Sequence, residues 1–241
     1  LDFQMKTRRE RTLDFQRMVN SEWSNNYWNF IYEFQKPLFW NLICKNPNLT
    51  WDLIQTHIDF RLFNWETISI NPNITEEIVR QNMHLPWCWT GLSLNPNITW
   101  NLVKDNIGQF WNWKYLSKHP NLTWDVIKNN LNKPWDWYEI SMHKNITWEI
   151  VQENIHLGWD WSRLSCNPNI TWDIVRDNPQ YDWSFYWLSC HPNITLDIVL
   201  NNRDKPWFWF TLSSNPNLTD DVIEDNLDLP WNWNALSMNP S

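Results

Sequence analysis

Glycine is scarce in this 241-residue chain, with three in all, and alanine is nearly missing, with Ala235 alone. Scattered glycines leave no glycine-rich phosphate loop. There is no apolar run near the roughly 18 residues that a membrane-spanning helix needs, and no secretory leader pattern. Cysteine is sparse too. Cys44, Cys88, Cys166 and Cys190 share no framework spacing, which suggests free thiols in a reducing, cytoplasmic compartment. Basic charge is in short supply, 19 Lys and Arg against 27 Asp and Glu, for a net charge of −8. Residues 1–17 hold five basic and three acidic side chains, so the remainder carries −10, a poor footprint for nucleic-acid binding. The chain opens on Leu1, and Leu-Asp-Phe-Gln occurs at both 1–4 and 13–16. Its ends therefore read as those of a fragment, with Met5 a candidate start.

What the chain has is tryptophan, 23 of them within a 42% hydrophobic composition, and a period. Asn-Pro-Asn or a close variant begins at Asn46, Asn71, Asn95, His119, His143, Asn167, His191 and Asn215. The first step is 25 residues and every later one is 24; a ninth start is Asn239-Pro240. A period in this range is the mark of a solenoid, in which each unit buries its apolar face only against its neighbours. The expected organisation is an N-terminal segment, 1–45, whose Pro37-Leu38-Phe39-Trp40-Asn41-Leu42-Ile43-Cys44 resembles a worn capping repeat, an array over 46–238, and a truncated unit at 239–241. Asn and Ile are abundant, which reads as the drift of an AT-rich genome.

Numbering each unit from its first Asn or His, position 5 is Thr in all eight, from Thr50 to Thr219, and position 7 is acidic in seven. Positions 8 and 9 are aliphatic, as in Ile150-Val151. This pattern predicts a short helix A capped by Thr, with the acidic residue in the first turn where the helix dipole favours it. The wheel groups positions 6, 8, 9, 12 and 13 on one face and turns 7, 10 and 11 outward. The second half reads Trp-x-Trp-x-x-Leu-Ser, as in Trp135-Asp136-Trp137-Tyr138-Glu139-Ile140-Ser141. Two Trp at i and i+2 cannot share a helix face, so a helix B is expected to start between them. Its cap is then Asn112, Asp136, Asp160, Ser184 or Asn232, and its length is barely two turns, α or 3₁₀. The invariant Ser at position 23 reads as a small side chain that lets neighbours approach.

A leucine-rich β-solenoid is the rival architecture, but it would put Pro where a strand needs a ladder hydrogen bond. The expectation is an all-α, right-handed solenoid of eight two-helix repeats. The run Leu92-Ser93-Leu94-Asn95-Pro96-Asn97-Ile98-Thr99 resembles the leucine-rich repeat variant family, which implies an α-helix alternating with a 3₁₀-helix in a superhelix. Trp at positions 6, 17 and 19 departs from that family. The Trp- and Asn-rich units are also similar to repeat proteins of giant DNA viruses.

Among the Trp columns, 17 (Trp87 to Trp231) and 19 (Trp65 to Trp233) read as core. Column 6, with Trp100, Trp124, Trp148 and Trp172, reads as an exposed aromatic stripe at the edge of the buried arc. Position 10 carries Arg80, Lys104, Lys128 and Arg176 beside acidic neighbours. These eight residues form the candidate partner surface. The Asn-Ile/Leu-Thr sequons are explained by capping and turn chemistry rather than glycosylation. His119, His143 and His191 stand in for Asn at the turn, too far apart to share a metal readily. No catalytic constellation, cofactor site or metal site is expected. The functional expectation is a non-enzymatic scaffold for a protein partner or for self-association, in the cytoplasm or a virion. The alternatives are a nucleic-acid-binding solenoid using the basic column with Lys6, Arg8, Arg9 and Arg11, and a structural component of a viral particle or fibre.

Overall fold

The computed structural model describes residues 44–57 and 64–239, together with the isolated positions Met18, Glu22 and Asn26. Apart from these positions the expected capping repeat lies outside the described residues, as do Lys6, Arg8, Arg9, Arg11 and residues 240–241. The chain divides into two compact units, Leu1–Asn112 and Trp113–Ser241.

Among the described residues there are sixteen short α-helices and no strand, and both units are all-α repeat arrays. The first unit holds α1 (Trp51–His57), α2 (Trp65–Ile70), α3 (Glu76–Gln81), α4 (Trp89–Leu92) and α5 (Trp100–Asp105). The second holds α6 (Trp113–Ser117), α7 (Trp124–Lys128), α8 (Trp137–Ser141), α9 (Trp148–Glu153), α10 (Trp161–Leu164) and α11 (Trp172–Asp177). It continues with α12 (Phe185–Ser189), α13 (Leu196–Asn201), α14 (Trp209–Leu212), α15 (Asp220–Glu224) and α16 (Trp233–Leu236). Odd-numbered helices are helix A and even-numbered ones helix B. Helix B is α rather than 3₁₀: the Leu92 N–H donates to the Cys88 carbonyl at 2.8 Å, and the Ser93 N–H to that of Trp89 at 3.0 Å.

Helix A begins where the Thr column predicts. Thr75, Thr99, Thr123, Thr147, Thr171 and Thr195 hold extended backbone, and each side-chain oxygen accepts a first-turn N–H. The Thr147 bond is 3.5 Å long, at the weak end for a cap; Thr219 makes no such bond. Helix B is capped by Asp136, Asp160 and Asn232. Ser184 occupies the expected cap position but makes no side-chain cap bond.

Each unit is stitched by side-chain bonds between repeats. The Asn167 side-chain amide donates to the carbonyls of Ser141 and His143 at 2.9 and 3.1 Å, while its own oxygen accepts the Asn169 N–H. Position 3 makes a parallel row, with the Asn169 amide donating to the carbonyls of Lys144 and Ile146. Asn71, Asn73, Asn95 and Asn97 do the same in the first unit. The buried Ser at position 23 is more than small. The Ser165 hydroxyl donates to the Trp161 carbonyl and accepts the Ser184 N–H of the next repeat at 2.9 Å. The same relay recurs at Ser93, Ser117, Ser141, Ser189 and Ser213.

Position 12 Asn closes helix A, its amide donating to the position 8 carbonyl, as Asn178 does to Ile174 at 2.8 Å. Its own carbonyl then accepts the indole N–H of column 17. This bond forms in seven repeats, from Trp87 on Asn82 to Trp231 on Asn226. Column 17 is thereby buried with its one polar atom satisfied. No described buried side-chain N or O lacks a partner. The abundance of Asn is therefore structural, with a separate bonding task at positions 1, 3 and 12, and does not require base composition to explain it.

Candidate interaction surface

The expected exposed aromatic stripe at column 6 is not exposed. Trp148 and Trp172 are each only 8% accessible, and Trp100 and Trp124 are half-buried. The wheel treats helix A in isolation, whereas the loop of the following repeat covers its first residue. Trp148 packs against Trp161, Tyr181 and Trp183 with centroids 5.9–6.4 Å apart, and Trp172 against Trp207 at 5.5 Å. Column 19, expected as core, is half-buried instead, and Trp233 is 60% exposed. Position 13, placed on the buried face by the wheel, emerges at Met83, Ile107, Leu131 and Ile155 because helix A has ended by then.

The basic column is on the surface, but two of its members are neutralised. Arg80 bridges Glu76 and Asp105 at 2.7 and 2.9 Å. Glu76 also accepts from the Thr99 backbone and hydroxyl. Burial opposes ionisation of Glu76, yet the Thr99 and Arg80 donors hold its carboxyl below the ordinary value. Arg176 pairs with Asp173 and Asp177. Lys104 and Lys128 are exposed. The structure joins the basic column to the Trp column at one cavity, lined by Arg176 and Trp172.

It also assembles a stripe on the outer side of helix B in the second unit. In this four- or five-residue helix, positions 22 and 23 point inward and position 20 outward, while position 21 ranges from half-buried Arg163 and Trp187 to buried Thr211 and Ala235. The Arg163 guanidinium lies 3.7 Å from the Tyr138 ring centroid and 5.2 Å from that of Trp187, within cation–π range. Tyr186 meets Trp187 and Phe208 edge-on at 5.0 and 5.5 Å. Lys114 extends the row, 3.7 Å from the Glu139 carboxylate and 6.0 Å from the Tyr138 centroid. Tyr138, Tyr186, Phe208 and Phe210 are 39–53% exposed. Arg163 makes no ion pair among the described residues. Sequence reasoning missed this stripe because it followed columns of identical residues, and these aromatics are scattered among other residue types at positions 18, 20 and 21. The available signal was the departure from the repeat.

The histidine column behaves as substituted Asn. The His143 Nδ1 accepts the Asn145 N–H at 3.2 Å, and its Nε2 lies 3.1 Å from the His119 carbonyl. His191 repeats the pattern with Asn193 and the Asn167 carbonyl. These partners select the neutral ring with its proton on Nε2. Burial, with Lys144 adding to it for His143, pushes both rings below the ordinary histidine value. Burial also raises the thiols of Cys44 and Cys190, and pushes that of Cys166 up to about 11. Among the described residues, no group of three or more His, Cys, Asp or Glu is placed to hold a metal ion, and no helix is long and apolar enough to cross a membrane.

No family model, curated protein or solved structure matches the chain. The fold itself defines the class: an all-α, tryptophan-rich tandem-repeat protein.

Proposed function

We propose that the protein is a non-enzymatic interaction or assembly scaffold, and that its second unit engages a protein partner through the outer face of helix B. The observation that carries this reading is the row of exposed Tyr138, Tyr186 and Phe208 with half-buried Arg163 and Trp187, held in contiguous ring and cation contact. Tyr, Trp and Arg dominate the energetics of protein interfaces, and a contiguous exposed aromatic patch marks a contact surface. Folding alone does not call for these side chains, since other repeats place Ser162, Thr211 or Asn234 at equivalent positions. A nucleic-acid role is less well supported, because Arg80 and Arg176 already face carboxylates. A viral setting rests on the Trp- and Asn-rich resemblance alone.

The test compares wild-type chain with the triple variant Tyr138→Ser/Arg163→Ser/Tyr186→Ser and with Lys104→Ala/Lys128→Ala as immobilised baits in extract from the source. The proposal expects partners retained by wild type to be lost with the helix B variant and kept with the lysine variant. Self-association, read by sedimentation at several concentrations, should follow the same pattern if the partner is a second copy. Equal retention by all three baits, or retention of nucleic acid that falls with salt, would overturn it.

A further inference from the structure

Tyr181 occupies position 15 of its repeat and lies flat on Trp161 of the repeat before, with ring centroids 3.9 Å apart and planes 7° from parallel. It also lies against Trp148, at 6.0 Å. Position 15 thus covers the position 6 and position 19 rings of the preceding repeat. One repeat further on, the covering residue is Lys205 and the rings beneath are Trp172 and Phe185. Phe185 is the only residue of column 19 that is not Trp. Both changes remove ring from the same place, and a cavity of ≈ 320 Å³ opens there, lined by Trp172, Arg176, Tyr181, Trp183, Phe185 and Lys205. That is at the small end of ligand pockets, which run from roughly 300 Å³ upward.

We infer that this cavity is a binding site for one neutral planar aromatic ring, of indole or phenol type, seated over Trp172 and Phe185 as Tyr181 is seated over Trp148 and Trp161. The chain supplies the template for the complex in the adjacent repeat. The cations at the rim are already answered, Arg176 by Asp173 and Asp177, and Lys205 by Asp204 at 3.0 Å. The electrostatics therefore favour a neutral ring over an anion. None of these residues belongs to the helix B stripe, so the inference stands whether or not that face binds a partner.

The experiment uses the whole chain, with indole and N-acetyl-L-tryptophanamide as probes, followed by saturation-transfer NMR and titration. Binding of indole at one site is expected. Binding of the blocked amide as well identifies a ring carried by a polypeptide, and binding of indole alone identifies a small molecule. Lys205→Tyr and Phe185→Trp each refill the cavity, and each should weaken binding by about tenfold or more, the scale of losing one ring-stacking contact and its buried area. Lys205 is on the surface, so its replacement keeps the fold. No binding by either probe, or binding unchanged by Lys205→Tyr, would overturn the inference.

Discussion

At the turn edge of the second unit, positions 1, 3 and 23 hold Asn or His, Asn, and Ser in repeat after repeat. On the outer face of helix B, positions 20 and 21 run Lys-Tyr, Tyr-Glu, Ser-Arg, Tyr-Trp, Phe-Thr and Asn-Ala. In the first region the position 1 and position 23 side chains are buried, and each row bonds the backbone one repeat away, the Asn amides donating to carbonyls and the Ser hydroxyl accepting an N–H. The second is half-buried to exposed along Tyr138, Arg163, Trp187, Tyr186 and Phe208, and the contacts of that row are between side chains. In the buried region an altered side chain leaves a backbone group without a partner, which costs more than the bond itself contributes. At the outer face a change disturbs only neighbours that water can also reach. Internal repetition thus marks what the stack requires, and internal variation marks where recognition can reside.

The largest expected effect lies on the buried side. Trp183→Ala removes an 8%-exposed ring and the donor to Asn178, and should cost about 3–5 kcal/mol in denaturant melting. A loss no greater than that of an exposed-face variant would erase the distinction between the regions. Ser165→Ala keeps the size of the site and deletes only the relay, stranding the Ser184 N–H. A loss of about 1–3 kcal/mol is expected, and a neutral result would return position 23 to a purely steric role.

Acid should act on the turn edge before the helix B face. His143 and His191 have folded-state values below the ordinary histidine value of about 6.5. The unfolded chain therefore binds more protons, and stability is full above about pH 7 and falls as pH drops through 6.5 towards the lowered folded values. The double variant His143→Asn/His191→Asn should lose that acid sensitivity in thermal melts between pH 7.5 and 5, and an unchanged profile would reject the neutral-ring assignment. Thr147→Ala should cost less than about 1 kcal/mol, the usual value of an N-cap, because its bond is long. Smallest of all, Tyr186→Ser should shift stability by no more than about 0.5 kcal/mol, while partner retention falls.

The helix count, the Thr caps and the burial of column 17 could be read from the sequence because each depends on contacts within a few residues. The exposure of columns 6 and 19 could not, because it is decided by the neighbouring repeat. Trp148 is covered by Tyr181 and Trp183, residues that no helical wheel of α9 contains. The role of Ser was half legible: its size was apparent, but its bond to a backbone N–H 19 residues away was not. The helix B stripe escaped a column-based reading because it is made of exceptions.

The edge-on indole pairs have an optical consequence. Trp113 with Trp135, Trp137 with Trp159, Trp161 with Trp183 and Trp209 with Trp231 sit 5.0–5.3 Å apart, close enough for their electronic transitions to couple. Excitation absorbed by one ring of a pair can pass to its partner, so the second unit responds to light as coupled pairs rather than as separate dyes. The exciton signal in circular dichroism follows the fit between repeats directly, and it vanishes from a pair as soon as its two repeats part.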